Sequence, residues 1–130
     1  MPGKVVIFVH GAGYEAAWSA TSLGLTASAL GDEVYFIFAF EALRALAKGS
    51  FGKPLTNRET MEVARGEGIG APSPSRMLSE AKSMGARTLA CDTMLKLCGL
   101  TVPDVSKVVD EVQGLATLWR LTDGARVLTF

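Results

Sequence analysis

The sequence predicts an α/β protein, a three-layer α/β/α sandwich on a five-stranded parallel sheet. Three observations carry this. Apolar runs rich in β-branched and aromatic residues recur along the chain and read as strands buried on both faces. Segments with helical spacing separate them, and such alternation is the pattern of a parallel sheet with crossover helices. The chain has 130 residues, 48% of them hydrophobic, enough to bury one core, so a single domain spanning residues 1–130 is expected.

The elements follow in order. Val5 to Val9 is a continuous apolar run ended by His10-Gly11-Ala12-Gly13, and it reads as a central strand. From Glu15 to about Leu30, the apolar residues Ala16, Ala20, Leu23, Ala27 and Leu30 recur at steps of four and three, which marks a helix face that Gly31 ends. Glu33 to Phe40 is a second buried strand, followed by a short helix from Glu41 to Lys48 with Gly49 as its stop. Between Ser50 and Ser73 the pattern lapses into glycines, prolines and scattered charges, which predicts an irregular flap near the site with one helical piece around Arg58 to Ala64. Ser73-Pro74 then starts a helix whose buried stripe is Met77, Leu78, Ala81 and Met84. A strand over Ala86 to Ala90 leads through Cys91 into a short helix over Asp92 to Cys98. A turn containing Pro103, a weak strand over Val109 to Val112, a helix over Leu115 to Leu121 and a last strand over Arg126 to Phe130 complete the series.

Composition narrows the function. Thirteen basic and 13 acidic residues cancel, so no long-range field draws in nucleic acid or an anionic membrane. The apolar runs are too short to span a bilayer. Two cysteines are too few for a disulfide framework and no signal peptide opens the chain, so a cytoplasmic location with reduced thiols is expected. A mean hydropathy of +0.28 at zero net charge predicts that some surface is covered by a second copy.

Cys91 is the first candidate for chemistry. In parallel α/β proteins the carboxyl ends of strands face the binding crevice, and the following helix aims free N–H groups there. A thiol at that junction is placed to react as a thiolate, although the neighbouring Asp92 opposes the helix dipole. Cys98 lies seven residues on, which in a helix puts the two Cα atoms on one face roughly 10.5 Å apart. A disulfide needs about 7 Å or less, so Cys98 reads as a buried small hydrophobe. His10, the single histidine, ends the first strand on the same edge and is a candidate base for the thiol if the two strands are neighbours. Cys91, Cys98 and His10 give too few ligands at unsuitable spacing for zinc, and no metal is expected. Gly11-Ala12-Gly13-Tyr14-Glu15-Ala16 fits the G-x-G-x-x-A pattern of dinucleotide turns, so Gly11 and Gly13 are candidates to hold a nucleotide or small anion at the helix N-terminus. Tight strand-to-helix turns also want glycine for backbone reasons alone. Tyr14, Trp18 and Trp119 read as core or subunit contacts.

These segments together resemble the DsrE/DsrF-like (TusD-like) sulfur-relay family. The resemblance rests on Phe8-Val9-His10-Gly11-Ala12-Gly13-Tyr14, on the run from Glu33 to Leu43, on Ala90-Cys91 followed by Gly99, and on the ending from Gly114 to Phe130. It implies a five-stranded parallel sheet, a trimeric or hexameric oligomer, and a cytoplasmic role passing sulfane sulfur between donor and acceptor proteins. It identifies Cys91 with the family's sulfur-accepting cysteine and implies no cofactor. Two rival functions stand beside it. One is a thiol-redox protein using Cys91 with Cys98 or another subunit's cysteine as resolving thiol. The other is a non-catalytic nucleotide- or anion-binding module built on the Gly11–Gly13 turn.

Overall fold

Five strands, Lys4–Val9 (β1), Glu33–Phe38 (β2), Arg87–Cys91 (β3), Glu111–Gln113 (β4) and Arg126–Thr129 (β5), pair side by side in the computed structural model, which describes residues 2–130. Their order is β4-β3-β2-β1-β5 and every pairing is parallel. The register sets Val9 opposite Phe38, Phe38 opposite Ala90 and Cys91 opposite Gln113, so the carboxyl ends form one common edge.

Seven helices connect the strands among the described residues: Tyr14–Ala29 (α1), Phe40–Lys48 (α2), Asn57–Gly68 (α3), Pro74–Ser83 (α4), Asp92–Leu97 (α5), Val102–Val105 (α6) and Leu115–Leu121 (α7). The steps from β1 to β4 all move the same way across the sheet, and right-handed crossovers therefore put α1 and α4 on one face. The connection from β4 returns past three strands to β5 and carries α7 to the other face. Alternate strand residues divide accordingly. Val5, Ile7, Val9, Val34, Phe36, Phe38 and Ala90 pack with residues of α1, α2 and α4. Val6, Ile37, Leu89 and Cys91 pack with Leu118 of α7. The result is the α/β sandwich on a five-stranded parallel sheet that the sequence predicts.

Three elements differ from their sequence reading: in α4, Met77, Leu78 and Ala81 are buried as expected but Met84 is exposed. The buried stripe of α1 is Ala17, Ala20, Thr21, Gly24 and Ser28, whereas Leu23 and Leu30 are exposed. The helix is apolar nearly all round, so periodicity alone does not choose its inner face. Small residues win because the helix sits close against the sheet: a Cβ at Gly24 would lie 2.2 Å from Cζ of Phe36. Within the expected irregular flap, the helical piece around Arg58 to Ala64 is present but longer and regular, α3, started by Thr56, whose side chain accepts the N–H of Glu59. Thr56 followed three residues later by Glu59 is a helix-start pattern that the surrounding glycines and charges obscured.

Gly24→Ala tests the close approach of α1. Alanine raises helix propensity by roughly 1 kcal/mol, but forcing a methyl into the Phe36 ring costs about 1–3 kcal/mol. Urea unfolding is expected to show a net loss of stability; a gain would mean that α1 stands farther from the sheet.

Candidate functional site

The carboxyl edge of the sheet presents, in order, Gln113, Cys91, Ala39 with Phe40, His10 and Phe130, each at or just past the end of its strand. Cys91 is the last residue of β3 and the N-cap of α5. As a strand residue its direction is set by the pleat, which turns it to the α7 face among Val6, Ile37, Leu89 and Leu118. It is 8% exposed. Its Sγ lies 3.8 Å from Oδ1 of Asp92, which accepts from the thiol. That same oxygen accepts the backbone N–H of Thr93 at 2.7 Å, so the carboxylate also serves the start of α5.

Cys98 caps the other end of α5 and packs against the opposite core cluster. The sequence reading put both thiols on one face, but Cys91 precedes the helix and does not share its periodicity. Both thiols are free and pack in different core clusters, so no disulfide joins them within the chain. Nor is Cys98 a fully buried hydrophobe. It is partly exposed, and its sulfur accepts from Nη1 of Arg44 at 3.5 Å.

The structure does not bring His10 to Cys91. β2 lies between β1 and β3, so their strands are two spacings apart, roughly 9.5 Å. The His10 side chain is exposed, and its backbone ties the edge together: its N–H donates to the carbonyl of Phe130 at 2.7 Å, and its carbonyl accepts from Ala42 N–H at 3.0 Å. Among the described residues, no three His, Cys, Asp or Glu side chains converge to hold a metal ion.

The Gly11–Gly13 turn leads into α1 as the pattern requires, but the place a ligand anion would take is filled from within. The carboxylate of Glu59 on α3 accepts the N–H of Glu15 at 2.9 Å through Oε2 and the N–H of Leu55 at 2.8 Å through Oε1. A Cβ at Gly13 would lie 2.9 Å from that carboxylate, and one at Gly11 would lie 2.8 Å from Cβ of Ala16. Both glycines are therefore required by close approach. Glu59 is 6% exposed, and its hydrogen bonds from the Glu15 and Leu55 amides hold its pKa below the ordinary glutamate value. With the folded pKa depressed, this contribution to stability is present above the ordinary value and is lost as pH falls through the depressed one. Nothing in the G-x-G-x-x-A pattern reveals Glu59, which comes from 44 residues beyond Glu15.

Beside Cys91, the α7 face carries an apolar groove of about 430 Å³ lined by Phe8, Leu115, Ala116, Leu118 and Trp119. Trp119 is 72% exposed and Leu115 70% exposed, whereas Leu118 covers Cys91. Of the tryptophan and tyrosine contacts expected from sequence, Trp119 is thus a surface residue.

No protein-family model matches the chain, and no curated protein matches it in sequence. Among solved structures it is similar to BT1422, a conserved protein of unknown function from Bacteroides thetaiotaomicron, with 12% identity and a TM-score of 0.61 over 98% of this chain and 94% of that one. At that identity the likeness shows the fold alone, a five-stranded parallel α/β domain. No helix among the described residues is long and apolar enough to cross a membrane.

The two thiols differ enough in surroundings to be told apart by rate. Limiting iodoacetamide on the native protein, followed by peptide mass mapping, is expected to label Cys98 first and Cys91 at least about tenfold more slowly. Equal rates would mean that Leu118 does not shield Cys91.

Proposed function

We propose that this chain is a sulfur carrier or sulfurtransferase subunit that holds sulfane sulfur as a persulfide on Cys91. The observation that carries the reading is the place of Cys91 at the carboxyl end of β3, where open α/β sheets bind what they act on. It is also the residue that the DsrE/DsrF-like resemblance matches to a sulfur acceptor. In the reaction, the Cys91 thiolate attacks the outer sulfur of a donor persulfide and the donor leaves as a thiolate. An acceptor thiolate then takes that outer sulfur and frees the Cys91 thiolate. Neither step requires a metal or organic cofactor. β2 lies between His10 and Cys91, so His10 takes no part in these steps.

Mass spectrometry after exposure to a persulfide donor tests this. One added sulfur atom on Cys91, absent in Cys91→Ser, is the expected result. Sulfur carried by Cys98 instead would overturn the assignment to Cys91, and a disulfide with no bound sulfur would overturn the reading in favour of a thiol-redox protein.

The same reading gives the apolar groove of α7 to a second copy of the chain, in a trimer or hexamer in the cytoplasm, with donor and acceptor proteins as transient partners. An exposed tryptophan and leucine over a short helix form the kind of surface that oligomers bury. Native mass spectrometry is expected to show an oligomer that Trp119→Glu reduces to the monomer. A monomeric parent protein would remove self-association from the proposal.

A further inference from the structure

Helix α3 is held differently from the other long helices. Of its 12 residues only Glu59 is buried. Met61 and the flanking Leu55 and Ile69 are exposed, so little apolar area fastens it to the domain. A 12-residue helix is marginal without such packing. Its other ties are slight: Tyr14 packs its hydroxyl against Gly66, and the pair Arg58–Glu15, at 3.0 Å, is largely exposed and worth little. Against these stands a cost, because Oε1 of Glu62, one turn on from Glu59, is buried without a hydrogen-bond partner. Opening would hydrate it.

We infer that α3 is a lid, closed by one carboxylate seated in the N-terminus of α1 and opened when that carboxylate is removed or displaced. The motif in the β1–α1 turn then has a use separate from the proposed sulfur chemistry. Gly13 admits the Glu59 carboxylate, and the amide of Glu15 holds it. Opening would uncover the turn from Gly11 to Glu15 on the carboxyl edge, beside His10. It would leave the sheet intact, because the strands and α1, α2 and α4 share a core to which α3 contributes nothing.

Hydrogen exchange read by mass spectrometry on the whole chain tests the lid. Glu59→Ala is expected to speed exchange in α3 on the order of tenfold to a hundredfold while β1, β2 and β3 keep their protection. Glu59→Gln, which retains the shape and one acceptor oxygen, should fall between parent and alanine variant. Arg58→Ala should change little. Acetate should restore protection to α3 in Glu59→Ala beyond what chloride does at the same ionic strength, because acetate can occupy the vacated carboxylate position. The inference is overturned if α3 exchange is unchanged in Glu59→Ala, if α3 and the strands lose protection together, if the variant does not fold, or if chloride restores as much as acetate.

Discussion

A parallel sheet has to be covered on both faces, and this chain covers its two faces unequally. On one side α1, α2 and α4 meet the sheet through small residues and aromatic rings, with Phe36 fitted against Gly24. On the other, the seven-residue helix α7 contributes Leu118 to the core, joined by Met94 of α5. The asymmetry follows from strand order, because only the last crossover runs the opposite way. Much of the surface chemistry follows in turn. Cys91 points to the thin side and is sheltered chiefly by that helix, while Leu115, Trp119 and part of Phe8 are left uncovered.

The two cysteines show why neighbours in sequence can live in different environments. Cys91 obeys the pleat of a strand and faces a carboxylate under an apolar cover; Cys98, at the far end of α5, faces an arginine near solvent. Accessibility and placement are thereby separated. The thiol with the cation is the more accessible one, and the thiol at the strand end occupies the position where this architecture performs chemistry. Under the proposed function this combination of shelter and position would suit a persulfide, which exposed to stray thiols would lose its sulfur before reaching its acceptor.

The glycine turn shows how a motif can be obeyed in form and used otherwise. Its backbone makes the tight strand-to-helix connection, and its helix start does hold an anion, but that anion is Glu59 of the same chain. The helix dipole that would recruit a phosphate is spent on fastening α3.

By itself the sequence determined what depends on local preference. Runs such as Val5 to Val9 and Glu33 to Phe40 read as buried strands, although the second ends at Phe38, Ser73-Pro74 reads as a helix start, and their alternation set a parallel sheet. It also singled out Cys91 as the strand-end thiol. What depends on residues meeting across the fold lay beyond it. The inner face of α1 was decided by the Phe36 ring, the seating of α3 by Glu59 accepting from the N–H of Glu15, and the isolation of His10 by β2 lying between two strands. The physical reason is the same in each case. Periodicity and capping are short-range properties written in consecutive residues, whereas strand order and the partner of a buried carboxylate are set only when distant segments compete for one place in the packed domain.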